Sequence, residues 1–238
     1  MWYLAFDTST QVLSVALGND ESVVAEYTTN IKRDHSSRLM PAIESLMKEA
    51  NIATKDLSGI IVGKGPGSYT GLRIGVSTAK SMAWALKIPL AGVSSLSLIA
   101  RTGKYFGGLI VPLIDARRGQ VYTGLYGMQN EQWTSMEQDR IVLMKDWLEH
   151  LQANYTGYKL LFVSTDIELY REMIESAFDS EKYKIAKMAS QYSRSGELLE
   201  LGIPMLDNNQ IQESKSFAPE YLRLAEAEHN WLKQQSKL

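Results

Sequence analysis

The sequence predicts an α/β protein whose mixed sheets carry helices on their faces. Three observations predict it. Residues 2–29 hold three short apolar or β-branched runs separated by brief polar breaks. Residues 39–50 carry a helical apolar stripe, and after them strand and helix patterns alternate. Brief breaks imply antiparallel neighbours, because parallel strands need long crossovers. Alternating βα units imply parallel strands covered by helices.

The elements follow in order. The first strand, residues 2–6, stops at Asp7-Thr8-Ser9-Thr10. The second, 12–17, ends at Gly18-Asn19-Asp20, and the third, 23–29, is rich in β-branched and aromatic residues. Leu39, Ala42, Ile43, Leu46, Met47 and Ala50 fall at i, i+3, i+4, i+7, i+8 and i+11, one face of a helix. Ser36 or Ser37 is its expected cap. Residues 57–62 read as a buried strand. The loop Gly63-Lys64-Gly65-Pro66-Gly67-Ser68 then leads into a helix at 70–86, stopped by Pro89. A strand at 89–93 and a helix capped by Ser94 or Ser95 and running to Arg101 complete the unit. This β-β-β-α-β-α-β-α order is that of the ribonuclease-H-like fold, the building block of the actin/hexokinase/Hsp70 class.

Thr102-Gly103-Lys104 and Gly107-Gly108 mark a boundary. Beyond it, strands at 109–114 and 120–126 flank the turn Asp115-Ala116-Arg117-Arg118-Gly119. Helices are expected at 145–152 and 166–177 around a strand at 160–164, and again at 195–206 and 219–237. The expected division is a first domain at 1–103, a second, degenerate one at 104–218, and a C-terminal helix at 219–238 packing back on the first.

Composition narrows the chemistry. The 238 residues include 25 Lys+Arg, 27 Asp+Glu, three His and no Cys, for a net charge of −2. No disulfide, thiolate zinc site, iron–sulfur cluster or Cys nucleophile can form. His35, His150 and His229 lie too far apart for a short-spaced metal site. No whole-chain field draws nucleic acid in, although a local basic patch is compatible with this balance. No basic leader and no run of ~20 apolar residues occurs, so a cytoplasmic protein without a membrane span is expected.

Most of the motifs have more than one reading. Asp7-Thr8-Ser9-Thr10 is either an acid-and-hydroxyl turn facing a nucleotide's phosphates and magnesium, or a hairpin turn held by its own side chains. Gly65, Gly67 and Gly71 let the backbone approach either an anion at the following helix start or the neighbouring sheet. Gly71, Gly75, Ala79 and Ala83 recur every four residues and make a smooth stripe, fit for another helix, another chain, or burial in its own domain. His35 lacks a second His at i+4, where Leu39 stands. Arg117 and Arg118 read as a phosphate-binding turn or as a charged hairpin tip.

Five blocks occur in order: Phe6-Asp7-Thr8-Ser9-Thr10; His35-Ser36-Ser37-Arg38-Leu39-Met40-Pro41; Gly65-Pro66-Gly67-Ser68-Tyr69-Thr70-Gly71-Leu72-Arg73-Ile74-Gly75; Pro112-Leu113-Ile114-Asp115-Ala116-Arg117-Arg118; and Pro219-Glu220-Tyr221-Leu222-Arg223. Together they resemble the TsaB (YeaZ) family of bacterial tRNA threonylcarbamoyladenosine synthesis. The resemblance implies two actin-like domains and a non-catalytic subunit. Its expected partner is the catalytic paralogue TsaD, which transfers a threonylcarbamoyl group to adenosine 37 of tRNAs reading ANN codons. TsaD holds a metal on a His-x-x-x-His helix motif; here the matching positions are His35 and Leu39, so no metal and no cofactor are expected. A TsaE ATPase is the third expected component, a homodimer forms in the chain's own company, and tRNA is met only through the complex. The resemblance places pairing on the first two helices, with Leu39, Ile43, Met47, Gly71, Gly75, Ala79, Met82 and Ala83 as expected contributors. On this reading Gly75→Trp blocks pairing and leaves the domain folded. Asp7, Ser9, Gly65 and Gly67 are the candidates for a vestigial nucleotide site. The alternatives are an actin-like Mg-ATP-dependent phosphotransferase or ATPase using those four residues, and a glycoprotease-like metallopeptidase, which the missing ligand disfavours.

Overall fold

A computed structural model describes residues 1–32, 34–208 and 216–222. Strands β1 (Trp2–Asp7), β2 (Leu13–Asn19) and β3 (Val23–Thr29) form the meander. Helix α1 (His35–Glu49), strand β4 (Leu57–Gly65), helix α2 (Tyr69–Leu86), strand β5 (Leu90–Ser94) and helix α3 (Ser95–Arg101) follow. The second half holds β6 (Leu109–Asp115), β7 (Gln120–Gln129), β8 (Gln132–Leu143), α4 (Met144–Asn154), β9 (Leu160–Val163), α5 (Arg171–Ala177), β10 (Tyr183–Ile185) and α6 (Ser195–Asp207). Two five-stranded sheets result, in the orders β3-β2-β1-β4-β5 and β10-β9-β6-β7-β8. In each, the first strand pairs antiparallel with the second and parallel with the fourth. The ribonuclease-H-like arrangement is therefore present twice.

Packing divides the cores. One face of the first sheet buries Leu4, Phe6, Val15 and Val62 under α1 and α2. The other face presents Ala5, Ala16, Ile61 and Ala91 to Leu198, Leu199 and Leu206 of α6. Gly202 makes that closeness possible, since a Cβ there would lie 2.4 Å from Ile61 Cγ2. The second sheet buries Val111, Leu113, Val121 and Phe162 under α4 and α5. Helix α3 joins the halves: Leu98 packs into the first sheet's core, while Leu96, Ile99 and Ala100 pack on Ile110, Ile114 and Val163.

Several expectations change. Strand β8 replaces the unassigned stretch after 126, through a hairpin whose Asn130 and Glu131 have φ of 50° and 62°. The cap of α1 is Asp34, not Ser36 or Ser37; Ser37 Oγ donates to the Asp34 carbonyl at 3.1 Å. Ser94 does cap α3, accepting from Ser97 N at 3.1 Å. Helix α6 lies inside the span expected for the second domain, yet it covers the first sheet, because its apolar side matches the small residues there. Residues 219–222 are not helical; the rest of the expected C-terminal helix falls outside the described residues. Phe217 is buried in the first core, so this part of the tail packs back in extended form. Among the described residues, no helix is long and apolar enough to cross a membrane.

Candidate functional site

The first strand ends in a carboxylate. Asp7 closes β1 at the centre of its sheet and has 0% exposure. Ser9 Oγ donates to Asp7 Oδ2 at 2.9 Å, Ser9 N to Oδ1 at 3.4 Å, and Ser95 Oγ to Oδ1 at 3.3 Å. Burial raises its pKa to about 6, against the lowering effect of the Ser9 and Ser95 hydrogen bonds. Ser95 Oγ in turn accepts from Gly65 N at 3.2 Å, so one hydroxyl ties β1 to the end of β4.

The β1–β2 turn is gripped from both helices. Thr8 Oγ1 donates to the Gly71 carbonyl at 2.7 Å, and Ser68 N donates to the Ser9 carbonyl at 2.7 Å. From α1, the His35 ring donates through Nε2 to the Thr10 carbonyl at 2.7 Å. His35 is therefore a pin for this turn, and the neighbouring position 39 holds a buried Leu.

The glycines explain the grip. A Cβ at Gly63 would lie 2.0 Å from Asp7 Oδ1, at Gly67 2.3 Å from Ser9 O, at Gly71 2.0 Å from Thr8 O, and at Gly75 2.4 Å from Thr8 Oγ1. Real side chains do not approach so closely. The space that glycine opens is filled by the chain's own turn. A phosphate placed at these glycines would have to displace Thr8 and Ser9. Gly65 faces another part of the chain: a Cβ there would meet Glu220 O at 2.6 Å, and its φ of 115° suits glycine.

Residues 216–222 lie across this loop as a strap. Glu220 N donates to the Lys64 carbonyl at 2.7 Å and the Glu220 carboxylate pairs with Lys64 Nζ at 2.9 Å. Lys80 Nζ donates to the Phe217 carbonyl at 2.6 Å, and Arg73 Nε to Tyr221 Oη at 3.2 Å. None of this was visible in the sequence; the only local signal was Pro219-Glu220-Tyr221-Leu222, read as a helix start.

The expected partner residues need correction. Leu39, Ile43, Met47, Gly71, Gly75, Ala79 and Ala83 are all buried in this chain's own core, and Met82 alone of the eight is half-buried. The smooth stripe of α2 faces β1 and β4, because the strand end at Thr8 and Val62 needs a flat neighbour. Gly75→Trp would therefore unfold the domain, contrary to the sequence reading. The outward stripe of α2 is Tyr69, Arg73, Ser77, Ser81 and Trp84, with Trp84 68% exposed. Beside it, α1 exposes Met40, Glu44 and Lys48, with Met40 at 49%. Trp84 borders an open depression lined with Ala83, Ala85, Lys87 and Ile88.

Comparison with known proteins agrees with this architecture. Residues 22–231 match the family model described as TsaD: tRNA N6-adenosine threonylcarbamoyltransferase. The tRNA threonylcarbamoyladenosine biosynthesis protein TsaB of Bacillus subtilis (strain 168) is 44% identical over 99% of this chain and 100% of its own length. The Escherichia coli (strain K12) protein of the same description is 34% identical over 60% of this chain and 62% of its own. The solved structure of YeaZ from Pseudomonas aeruginosa superposes with a TM-score of 0.79 at 27% identity, covering 93% of this chain and 99% of that one. On the full-length Bacillus match above all, the chain belongs to the TsaB (YeaZ) family of tRNA threonylcarbamoyladenosine biosynthesis proteins.

Proposed function

We propose that the chain is a non-catalytic, activating subunit of the complex that installs N6-threonylcarbamoyladenosine at position 37 of tRNAs reading ANN codons. Its partner is a TsaD-type catalytic subunit; a TsaE-type ATPase joins the pair, and the chain forms a homodimer when alone. One observation carries this reading: the turn that would face a nucleotide is filled by the chain's own atoms, with Asp7 fully buried and bonded to Ser9 and Ser95. A phosphotransferase would need that carboxylate turned to a metal–nucleotide ligand. The metallopeptidase reading would need a second ligand where Leu39 is buried.

The pairing surface is the outer side of α1 and α2, with Trp84 and Met40 as its anchors. Trp is among the residues most enriched at interface hot spots, and Trp84 is exposed beside Lys87 and Ile88. Truncating such an anchor costs a complex ≥2 kcal/mol, about thirtyfold in affinity. Trp84→Glu should leave the chain folded and remove co-purification with the catalytic subunit. Unchanged co-purification overturns this surface. Depletion of the protein in cells, with threonylcarbamoyladenosine measured in tRNA by mass spectrometry, tests the function itself; unchanged modification refutes it.

A further inference from the structure

The two sheets repeat one topology, so the β6–β7 hairpin is the counterpart of the β1–β2 turn. Asp115 closes β6 as Asp7 closes β1. The two turns differ in cover. The first is buried beneath α2; at the second, Arg117, Arg118 and Gly119 are all exposed. These three residues have φ of 63°, 56° and 72°, a left-handed run. Glycine adopts it freely, whereas two arginines are strained there. Strain of this kind persists only where surrounding bonds enforce it, and it gathers at functional positions.

The enforcing bonds are present. The Asp115 carboxylate accepts from Arg117 N at 3.0 Å and from Tyr170 Oη at 2.6 Å. Ala116 N donates to Gln120 O at 2.9 Å, and Gln120 N to Arg117 O at 3.1 Å. Met144 N donates to Gly119 O at 2.8 Å, which brings the start of α4 and its exposed Lys145 beside the tip. Among the carboxylates around the tip, Asp115 is held in the turn and Glu149 pairs with Lys145 at 3.7 Å, while Asp166 stands beside Asp115 and Asp146 follows Lys145 in α4. The tip also stands at the carboxyl ends of the parallel pair β6 and β9, where open α/β sheets take ligands.

We propose that this hairpin is a contact for the phosphate backbone of tRNA, with Arg117 as a forked donor and Lys145 as a flanking charge. The inference rests on the reading of the chain as part of a tRNA-modifying complex. Arg117 presents paired donors to phosphate oxygens, and Lys145 adds a point charge. A convex, exposed tip has no walls to enclose a nucleoside, but it can meet a backbone, and such contacts set register without reading sequence.

The test measures anisotropy of a labelled, unmodified tRNA transcript that reads an ANN codon, titrated with the full chain from 50 to 200 mM salt. Arg117→Gly keeps the left-handed turn and should raise Tm, because glycine relieves the strain. It should also lower the slope of log K against log salt by about 1, and adding Lys145→Ala by about 2. Over that fourfold salt range each unit of slope is about fourfold in affinity. ATP, inorganic phosphate and polyglutamate at matched charge should displace the tRNA poorly. Unchanged slopes in both variants, absence of binding by the wild-type chain at 50 mM salt, or displacement by polyglutamate or ATP as effective as by unlabelled tRNA would each overturn the proposal. Loss of pairing with the catalytic subunit is a separate readout: its failure strikes the functional reading, whereas unchanged slopes strike only this contact.

Discussion

Replacing Asp7 with Asn should make the protein more stable at neutral pH. The carboxyl is fully buried and its pKa stands at about 6 rather than 3.8. The folded state therefore binds the proton more tightly than the unfolded chain does. Its stabilising effect is fully present below pH ~4 and declines as pH rises through about 6. At about 1.4 kcal/mol for each pH unit of that gap, the ionised group costs about 3 kcal/mol above pH 6. Asn has the same shape and remains neutral, and the Ser9 and Ser95 hydroxyls can rotate to serve it. The expected gain at pH 7.5 is about 2–3 kcal/mol, or about 5–10 °C in Tm for a chain of this length. At pH 4 the two proteins should be nearly equal. Urea denaturation of both at pH 4 and pH 7.5 decides the matter. A variant less stable than wild type at pH 7.5 would refute the reasoning, because the ionised carboxylate would then be a net stabilising partner.

Two other perturbations probe the same region. Gly71→Ala sets a Cβ 2.0 Å from the Thr8 carbonyl oxygen, so it should cost about 3 kcal/mol or more despite alanine's better helix propensity; chemical denaturation giving wild-type stability would show that the turn yields readily. Phe217→Ala empties a site in the first core and should cost about 3–5 kcal/mol, with Lys80 losing the geometry of its carbonyl bond; an unshifted thermal transition would mean that the strap contributes nothing to stability.

The first hundred residues were legible because their strands are short, apolar and punctuated by Gly, Pro and Asn. Strand β8 escaped because it is an edge strand, partly exposed on both faces, so Gln132 to Leu143 shows no clean alternation. Strand β10 has three residues, below what a pattern can reveal. Asp7, Ser9 and Gly67 do come together, as the motifs implied, but Ser95 joins them from 88 residues away and carries no local signal. The Gly71-to-Ala83 stripe is smooth, as its spacing predicts, and of the neighbours that spacing allows it meets the chain's own sheet. A four-residue spacing of small side chains serves a strand end as well as a helix, and only the bulk of Thr8 and Val62 decides between them. Periodicity likewise located α6, while the sheet it covers depends on the complementary small residues of β1, β2 and β5.

The return of α6 to the first sheet governs how this chain can be made. Strand β5 ends at Ser94, but beyond Leu98 of α3, the face of Ala5, Ala16 and Ile61 is covered among the described residues by Leu198, Leu199 and Leu206 of α6. During synthesis that face waits for roughly a hundred further residues, on the order of ten seconds at ~5–20 residues per second. In that interval the segment from Leu109 to Ile185 can complete its own sheet and core. The residues of the second sheet thus lie, in sequence, between the strands of the first sheet and the helix that covers them. The three alanines on that face, Ala5, Ala16 and Ala91, reduce the apolar surface that the nascent chain exposes while it waits.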